Sequence, residues 1–515
     1  MDSYYYFAIS SATIYIILLA VFSSSSNRSG LPRNWPLFGT LPALLANCHC
    51  LLEWATIVTE RQGGTFQLKG SWLFPYEMLL TVDPNNVKYT SSTKFANFPR
   101  GAKSKEVFDI FGDGLFNAKS DEWNIHRKII RAFFNHKQFG DISAMIALDK
   151  VEKGLIPVLE NMANKGCSCT DVCGTVIDLQ EVFQRYSYDL THRIVIGSDP
   201  NSLSLQWPEI PYSSAMNDAM EAIFFRHLLP ESIWKMQKLF ALGREKSLSK
   251  ARQVLNSFLA RSLSEKRKEI GSRENIDNNF DLLTAYMIDG DRGIRTGECD
   301  RVDLNGSIHS LLLAGTDTTS SALTWFFWVL SQSASILLKI KEELKNNIPE
   351  EKVNKMHIFS QEELSKMVYL HATLCETLRL YPPIPFQTRC PIKPDILPTG
   401  HSVIPQKTMI IIPLYIMGRM TSVWGKDCAE FKPERWITEN GEIKHEPSHK
   451  FFTFNSGPRI CLGRELAFLQ MKAVAAAIIH NYDLHILHGE DAKPINSVIL
   501  HMKGGLHARL TRRWA

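Results

Sequence analysis

A cysteine in a glycine-rich loop is the side chain of this sequence best placed to do chemistry. Cys461 lies in residues 454–463, here named the cysteine loop, which reads Phe-Asn-Ser-Gly-Pro-Arg-Ile-Cys-Leu-Gly and precedes a helix predicted over residues 464–479. Backbone N–H groups of a turn and the N-terminus of a helix both favour a thiolate over a thiol. The pattern predicts a lowered pKa for Cys461 and a sulfur that acts as a metal ligand. The alternative is a buried structural cysteine in a glycine-rich turn.

Five positions of the cysteine loop match Phe-x-x-Gly-x-Arg-x-Cys-x-Gly, a match that chance produces on the order of 10⁻⁴ times in such a chain. The loop resembles the haem-binding loop of the cytochromes P450. The resemblance implies that Cys461 is the axial ligand of the haem iron, where a thiolate favours O–O cleavage. Arg459 would bind a haem carboxylate. Gly457 and Gly463 would let the backbone lie close to the macrocycle and to the next helix.

Hydroxyl side chains and a glycine interrupt the longest apolar stretch, a helix predicted over residues 301–332. Residues 314–319 read Ala-Gly-Thr-Asp-Thr-Thr, which is locally unfavourable unless the hydroxyl groups bond back to their own helix. The resemblance implies that this helix crosses the haem face and bulges to hold water and dioxygen. Asp317 and Thr318 would then be the catalytic pair that relays protons to the distal oxygen.

Glu376 and Arg379 lie three residues apart on one face of a helix predicted over residues 361–381. On an exposed helix such a pair contributes only about 0.2–0.5 kcal/mol. The stretch 431–436, Phe-Lys-Pro-Glu-Arg-Trp, follows at the distance found in the P450 family. The resemblance therefore implies that Arg435 completes a buried structural triad with Glu376 and Arg379, which locks the core beneath the haem loop.

Further residues match cofactor-binding positions of the same family. Residues 123–127, Trp-Asn-Ile-His-Arg, resemble the helix whose tryptophan and arginine reach a haem propionate, and Arg389 matches another propionate partner. The resemblance thus implies a haem b site formed by Trp123, Arg127, Arg389 and Arg459 around Cys461. It runs along essentially the whole chain.

Helical periodicity dominates the chain after residue 43. Beyond the helices already given, it covers residues 143–163, 179–195, 247–269 and 336–347. Short strands are predicted over residues 65–68, 78–82 and 409–413. We therefore predict a mainly α fold with small β-sheets, which the resemblance identifies as the cytochrome P450 fold, behind an N-terminal signal-anchor helix.

The first residues of the chain predict a membrane anchor. Residues 4–22 are uncharged and mostly apolar, and about 20 such residues span a bilayer as a helix. No basic residue precedes them, whereas Arg28 and Arg33 follow and place the rest of the chain on the cytoplasmic side. We predict a transmembrane anchor over residues 1–26, a proline-rich hinge over residues 27–42, and a haem-thiolate catalytic domain over residues 43–515 at the endoplasmic reticulum membrane. A cleaved signal peptide is the alternative.

Composition excludes several classes of protein. The net charge of +5, from 58 basic and 53 acidic residues, gives no case for nucleic-acid binding. None of the ten cysteines forms a Cys-x-x-Cys pair, so zinc-ribbon and thioredoxin-like chemistry has no support. A chain with 44% hydrophobic residues buries a large core without disulfides, and we expect a reducing compartment.

Within the family, the chain most resembles a plant microsomal branch that holds mid-chain alkane and fatty-acid hydroxylases, in residues 323–328, 393–395 and 431–436. The branch also holds alkaloid enzymes that join the two phenol rings of 4′-O-methylnorbelladine without inserting oxygen. The hydroxylases of this branch usually carry arginine at the position of Thr316. The threonine therefore favours phenol coupling; the alternative is that this helix position tolerates either residue without a change of reaction. The candidate substrate pocket consists of Phe108, Phe111, Phe224, Phe225, Ala314 and Phe386.

The leading hypothesis is therefore intramolecular oxidative phenol coupling, in which hydrogen is removed from each ring and the pocket fixes the rings in register. Mid-chain or terminal hydroxylation of long-chain alkanes or fatty acids is the alternative. Both reactions need haem, dioxygen and two electrons, which the family takes from an NADPH-dependent cytochrome P450 reductase. A haem-thiolate isomerase or dehydratase, whose relatives often lack the acid–threonine pair, and a non-catalytic membrane scaffold are the remaining hypotheses.

Overall fold

The computed structural model describes residues 32, 35, 39–69, 77–118, 120–165, 176–272, 281–292, 303–400, 403–487 and 492–514. In chain order the α-helices are α1 (Leu41–Ala46), α2 (Leu51–Arg61), α3 (Pro84–Lys88), α4 (Ala102–Val107), α5 (Ser120–Phe134), α6 (Phe139–Lys150), α7 (Ile156–Lys165), α8 (Leu179–Val195), α9 (Pro211–Leu228), α10 (Glu231–Leu239), α11 (Gly243–Ser272), α12 (Leu282–Arg292), α13 (Leu304–Ser331), α14 (Ala334–Asn346), α15 (Gln361–Ser365), α16 (Val368–Leu380), α17 (Leu414–Met417), α18 (Thr421–Trp424) and α19 (Arg464–Asn481). The strands are β1 (Thr65–Lys69), β2 (Glu77–Thr81), β3 (Ile177–Asp178), β4 (Gln387–Arg389), β5 (Met409–Ile412), β6 (Tyr482–Ile486) and β7 (His507–Arg512).

The strands form two small sheets at the edge of the helical body. One has the order β1-β2-β5-β4 and the other the order β3-β7-β6. Strands β2 and β5 are parallel, and the other pairs are antiparallel. On β4, Arg389 aligns with Ile410 of β5, and both side chains are buried. The larger sheet thereby fixes the position of one arginine predicted to bind the cofactor.

Helix α13 is the central element of the core. The Asp303 carboxylate caps it by accepting from the Gly306 N–H at 2.9 Å. Its residues are buried on most sides along its 28-residue length, which is typical of a helix that other helices surround. Helix α8 packs directly on it at Gly315, where an added Cβ would lie 2.5 Å from the Thr191 hydroxyl oxygen. Only glycine at this position allows so close an approach.

The structure confirms the mainly helical fold with small sheets, and most predicted elements occur near their predicted bounds. Helix α8 covers the predicted residues. The helix predicted over residues 143–163 is interrupted by a π-helical turn, Val151–Leu155. The one predicted over residues 361–381 breaks between α15 and α16. Helices α9 and α10 were not predicted at all.

The predicted anchor, residues 1–26, and most of the predicted hinge lie outside the described residues. Within the part of the chain that the structure describes, no single helix is long and apolar enough to cross a membrane. Helices α13 and α14 meet the length and composition criterion only as a pair, bent by 111°.

Candidate active site

The cysteine loop is fixed by its own backbone and by a neighbouring turn. The Cys461 N–H donates to the Phe454 carbonyl at 2.8 Å and closes the loop. The Ser456 hydroxyl oxygen lies 2.6 Å from that of Ser91, and both residues are buried. Helix α19 begins three residues after the cysteine. The position of the sulfur is therefore set by contacts that do not involve the thiol itself.

The glycine at position 457 allows a close contact between the cysteine loop and a neighbouring turn. Gly457 has φ +62°, and an added Cβ would lie 2.2 Å from the Ser91 carbonyl oxygen. It thus allows the cysteine loop to pack on residues 89–93. Gly463 has a negative φ, and a Cβ there would meet neighbours only at ordinary contact distance, 3.9–4.0 Å.

Cys461 is solvent-accessible as a residue, although protein surrounds its thiol. Desolvation by burial raises its pKa, and a hydrogen bond from Gly463 and the positive charges of Arg127 and Arg464 act in the opposite direction with smaller effect. The expected lowering of the thiol pKa is therefore wrong in its net direction. Direct bonding to a metal deprotonates a thiol regardless of this balance.

Four arginines converge beside the cysteine loop. The Arg389 guanidinium is 1% exposed and donates to the Asn455 side-chain oxygen at 3.1 Å. Arg127 donates to the carbonyl of loop residue 460. Arg459 lies over the Trp123 ring, 4.7 Å from its centroid. The fourth, Arg100, donates to the residue 116 carbonyl at 3.0 Å.

These guanidinium groups repel one another, and among the described residues none of them forms an ion pair with a carboxylate. Burial, followed by the charges of the other three, lowers the pKa of Arg459 to about 8. Burial and Arg100 lower the pKa of Arg389 to about 9. The Nε atoms of Arg127 and Arg389 are buried without an acceptor. Buried cations of this kind require anionic partners, and the two carboxylates of a haem would supply them.

The structure brings the predicted triad together under this site. Both Glu376 and Arg379 are fully buried and joined by two hydrogen bonds of 2.8 Å. The Glu376 carboxylate also accepts from the Trp436 ring N–H at 2.8 Å and the Lys432 backbone N–H at 2.9 Å. Arg435 approaches it only at 3.5 Å. The side chain of residue 453 donates a hydrogen bond of 3.1 Å to a backbone carbonyl of α16, the helix that carries Glu376 and Arg379. The triad therefore supports the start of the cysteine loop.

The cysteine loop, the arginines without a carboxylate partner among the described residues and the buried triad have now been located, and comparison with known proteins gives the family. The sequence model of the family "Cytochrome P450" matches residues 30–507 of this chain. The chain is a cytochrome P450. Family membership makes the protein an oxidoreductase with a haem-thiolate iron, which argues against the non-catalytic scaffold.

Several plant P450s are similar to this one over nearly their whole length. Alkane hydroxylase MAH1 of Arabidopsis thaliana is 39% identical over 97% of both chains. Noroxomaritidine synthase 1 of Narcissus pseudonarcissus is 37% identical over 99% of this chain and 97% of its own. Cytochrome P450 86B1 of Arabidopsis thaliana is 34% identical over 94% of this chain and 86% of its own. The two activities hypothesised from the sequence both occur among these relatives, at identities too similar to decide between them.

One face of helix α13 is only half-buried, and it is here named the cleft face. Leu311, Ala314 and Thr318 are half-buried and follow helical spacing, whereas Thr316 and Asp317 are buried. The Thr318 hydroxyl donates to the Ala314 carbonyl at 2.6 Å. The helix is α-helical from end to end, so the expected bulge is absent from it, because the hydroxyl bonds back to the helix without opening it.

Asp317 points away from this face, toward helix α8. Its carboxylate accepts from the Gln184 side-chain N–H at 3.2 Å, and the same amide donates to the Asn217 side-chain oxygen at 3.4 Å. Both amide residues are half-buried. No hydrogen bond joins Asp317 to Thr318 in the described structure. Burial raises the pKa of Asp317 to about 7, and the Gln184 hydrogen bond lowers it only partly. This carboxyl group therefore exchanges its proton near neutral pH.

Asp317→Asn is expected to change how stability depends on pH. The pKa of Asp317 rises from an ordinary 3.8 to about 7 on folding, so between these values the folded protein holds a proton that the unfolded chain releases. The contribution of the Asp317 carboxyl group to the free energy of unfolding therefore falls as pH rises. As pH rises across that window, the free energy of unfolding of the variant should increase by about 4 kcal/mol relative to that of wild type, at 1.4 kcal/mol per pKa unit. Thermal melts from pH 4 to 8 measure it.

A matched control is Asp218→Asn, which changes an exposed carboxylate on α9 and should leave the pH profile of the melting temperature unchanged. Parallel wild-type and Asp317→Asn profiles would contradict the raised pKa.

Three of the predicted pocket phenylalanines gather around a histidine. The ring centroid of His227 lies 5.4 Å from that of Phe108 and 5.3 Å from that of Phe386, both edge to face. Phe224 lies 6.3 Å from Phe386. The three phenylalanines belong to or pack against a hydrophobic cluster on which Leu311 of the half-buried face of α13 also packs. The pocket wall therefore adjoins the cleft face of that helix.

The other pocket candidates have different environments. Phe111 is fully buried behind Phe108, at 6.4 Å between ring centroids. Phe225 faces α11, where the Arg244 guanidinium lies 3.7 Å from its ring centroid. Ala314 is half-buried on the cleft face of α13.

Sequence reasoning missed Arg100, Gln184 and His227. Arg100 stands in a Phe-Pro-Arg-Gly loop, and Gln184 on an ordinary helix, so neither carried a local signal. His227 follows the predicted pocket residue Phe224 by three positions, and this helical spacing was a signal that pointed to a shared face.

Proposed function

We propose that this P450 catalyses intramolecular oxidative phenol coupling of 4′-O-methylnorbelladine to noroxomaritidine, with electrons supplied by an NADPH-dependent cytochrome P450 reductase. Haem b bound at Cys461 would supply the oxidising equivalent that removes a hydrogen atom from a substrate, using dioxygen and two electrons. Trp123, Arg127, Arg389 and Arg459 would hold its carboxylates.

The protein's own contribution would be to position the rings and to deliver protons. Thr318 has its hydroxyl on the cleft face of α13 and would hold a proton at that face. Asp317, whose pKa burial raises to about 7, would supply the proton that replaces it. Since no direct bond joins the two groups, water would have to connect them. This is a general-acid arrangement.

The observation that carries the phenol assignment is the aromatic wall of Phe108, Phe224 and Phe386. Rings that pack edge to face offer aromatic substrates the contact geometry that aromatic pairs prefer. Holding two phenol rings of one molecule in register is a task of orientation, which rigid side chains perform well.

Thr316 does not contribute to this assignment. It lies two residues from both Ala314 and Thr318, which places it about 200° away around the helix. Its side chain is buried, and its hydroxyl has no hydrogen-bond partner among the residues that the structure describes. The exchange of arginine for threonine at this position therefore alters the packing of α13 and leaves the cleft lining unchanged.

Hydroxylation of a long-chain alkane or fatty acid is the second candidate. The similarity to alkane hydroxylase MAH1, at 39% identity, favours it, and an aromatic wall also accommodates an alkyl chain. In either case we propose that residues 1–26 anchor the protein in the endoplasmic reticulum membrane, that residues 27–42 are a hinge, and that residues 43–515 form a cytosolic catalytic domain.

The two candidates are separated by offering both substrates to one preparation. Microsomes that contain this protein, a plant cytochrome P450 reductase and NADPH receive 4′-O-methylnorbelladine and a long-chain alkane side by side, and mass spectrometry reads the products. We expect an alkaloid product lighter by two hydrogen atoms and an unchanged alkane. An alkane product heavier by one oxygen atom, with the alkaloid precursor unchanged, would replace the proposal with the hydroxylase.

A further inference from the structure

His227 is the polar side chain of the aromatic wall, and its tautomer follows from its contacts. The Nδ1 atom lies 3.0 Å from the Ile223 carbonyl oxygen. A carbonyl oxygen only accepts, so Nδ1 carries the proton and Nε2 of the neutral ring presents a lone pair. Among the described residues Nε2 has no hydrogen-bond partner. The ring is half-buried, so an acceptor remains accessible beside Phe108 and Phe386.

The surroundings keep this ring neutral. Burial lowers the pKa of His227 to about 4, and the positive charges of Lys103 and Arg226 act in the same direction. Arg226 is itself engaged by Glu245, with two bonds of 2.7 Å, and by Asp109 at 2.9 Å. The nearby carboxylates Glu245 and Asp109 thus bind arginine. The histidine therefore stays a neutral hydrogen-bond acceptor.

We propose that His227 determines specificity by accepting a hydrogen bond from a phenol hydroxyl group of the substrate. This inference rests on the proposed function, because it names the group of a phenolic substrate that the pocket recognises. The flanking rings of Phe108 and Phe386 receive the aromatic ring, and Nε2 binds the hydroxyl group that the ring carries. An alkane has no donor to offer and leaves this nitrogen unpaired.

The test compares two ligands that differ only in the donor. Purified haem-loaded protein is titrated with a 4-alkylphenol and with its methyl ether, and the change in haem absorbance gives each dissociation constant. We expect wild type to prefer the phenol by about tenfold, the value of one net hydrogen bond. In His227→Phe, which keeps the ring but removes the acceptor, the preference should disappear through weaker binding of the phenol.

Two controls separate recognition from packing. His227→Gln keeps an acceptor and should retain most of the preference, and it serves if the phenylalanine variant fails to fold. Phe386→Leu removes a ring and should weaken both ligands alike. An equal affinity of wild type for the two ligands, or an unchanged preference in His227→Phe, overturns the inference.

This outcome is independent of turnover. If His227 confers the preference but 4′-O-methylnorbelladine is not coupled, phenol recognition stands and the proposed reaction fails. If 4′-O-methylnorbelladine is coupled but His227→Phe keeps the wild-type preference, the proposed reaction stands and phenol recognition by His227 fails.

Discussion

Cys461→Ser is expected to abolish both substrate oxidation and the red-shifted absorbance band of the reduced, CO-bound protein. Serine has nearly the volume of cysteine, and the loop that carries it is held by the Phe454 carbonyl and by the pair Ser91 and Ser456. The fold should therefore survive. The hydroxyl oxygen lacks the electron donation by which a thiolate gives a haem-thiolate protein its spectrum and its reactivity.

The spectrum of the reduced protein under CO measures this effect, together with the ratio of haem to protein. Cys48→Ser is the matched control, since Cys48 is a partly exposed free cysteine near the N-terminal end of the described chain, and its spectrum should equal that of wild type. A red-shifted band retained in Cys461→Ser would remove this residue from the role of iron ligand.

Glu376→Leu is expected to destabilise the protein strongly. The substitution leaves the Arg379 guanidinium, fully buried at the centre of the triad, without its carboxylate. It also removes the acceptor for the Trp436 ring N–H and the Lys432 backbone N–H. Breaking a buried ion pair on one side costs about 3–5 kcal/mol, against a total stability of about 5–15 kcal/mol.

Thermal unfolding followed by circular dichroism measures this loss, and we expect the melting temperature to fall by several degrees with poor recovery of haem-loaded protein. Glu362→Ala is the control: it removes an exposed partner of Lys366 at 2.7 Å, and exposed pairs contribute little. Equal melting temperatures for Glu376→Leu and Glu362→Ala would show that the triad is dispensable.

Much of the fold was predictable because the apolar pattern of buried helices is local. Helix α8 has the predicted bounds. The failures have physical causes: the π-helical turn Val151–Leu155 hardly alters the spacing of apolar residues, and no proline or glycine marks the break between α15 and α16. Helix α9 carries aromatic and charged residues on several faces, so its periodicity was weak, and α10 has only 9 residues, too few for a clear helical pattern.

Residues of the candidate site could be predicted from the sequence only where they stand within one short motif. Cys461 and the pair Glu376 and Arg379 stand in such motifs; the structure joins the pair by hydrogen bonds and holds Cys461 in a closed loop. Arg100 and His227 reach the site through tertiary packing of distant segments, which no local pattern encodes. The same holds for Gln184, which lies 133 positions from its partner Asp317 on another helix.

The most direct test of the proposed reaction is to run it under ¹⁸O₂. Purified protein is reconstituted with a plant cytochrome P450 reductase, NADPH and 4′-O-methylnorbelladine, and products are analysed by mass spectrometry. Phenol coupling predicts a product two hydrogen atoms lighter than the substrate and free of ¹⁸O, because dioxygen serves only as oxidant. A product that carries one ¹⁸O atom would contradict phenol coupling and assign this P450 to hydroxylation.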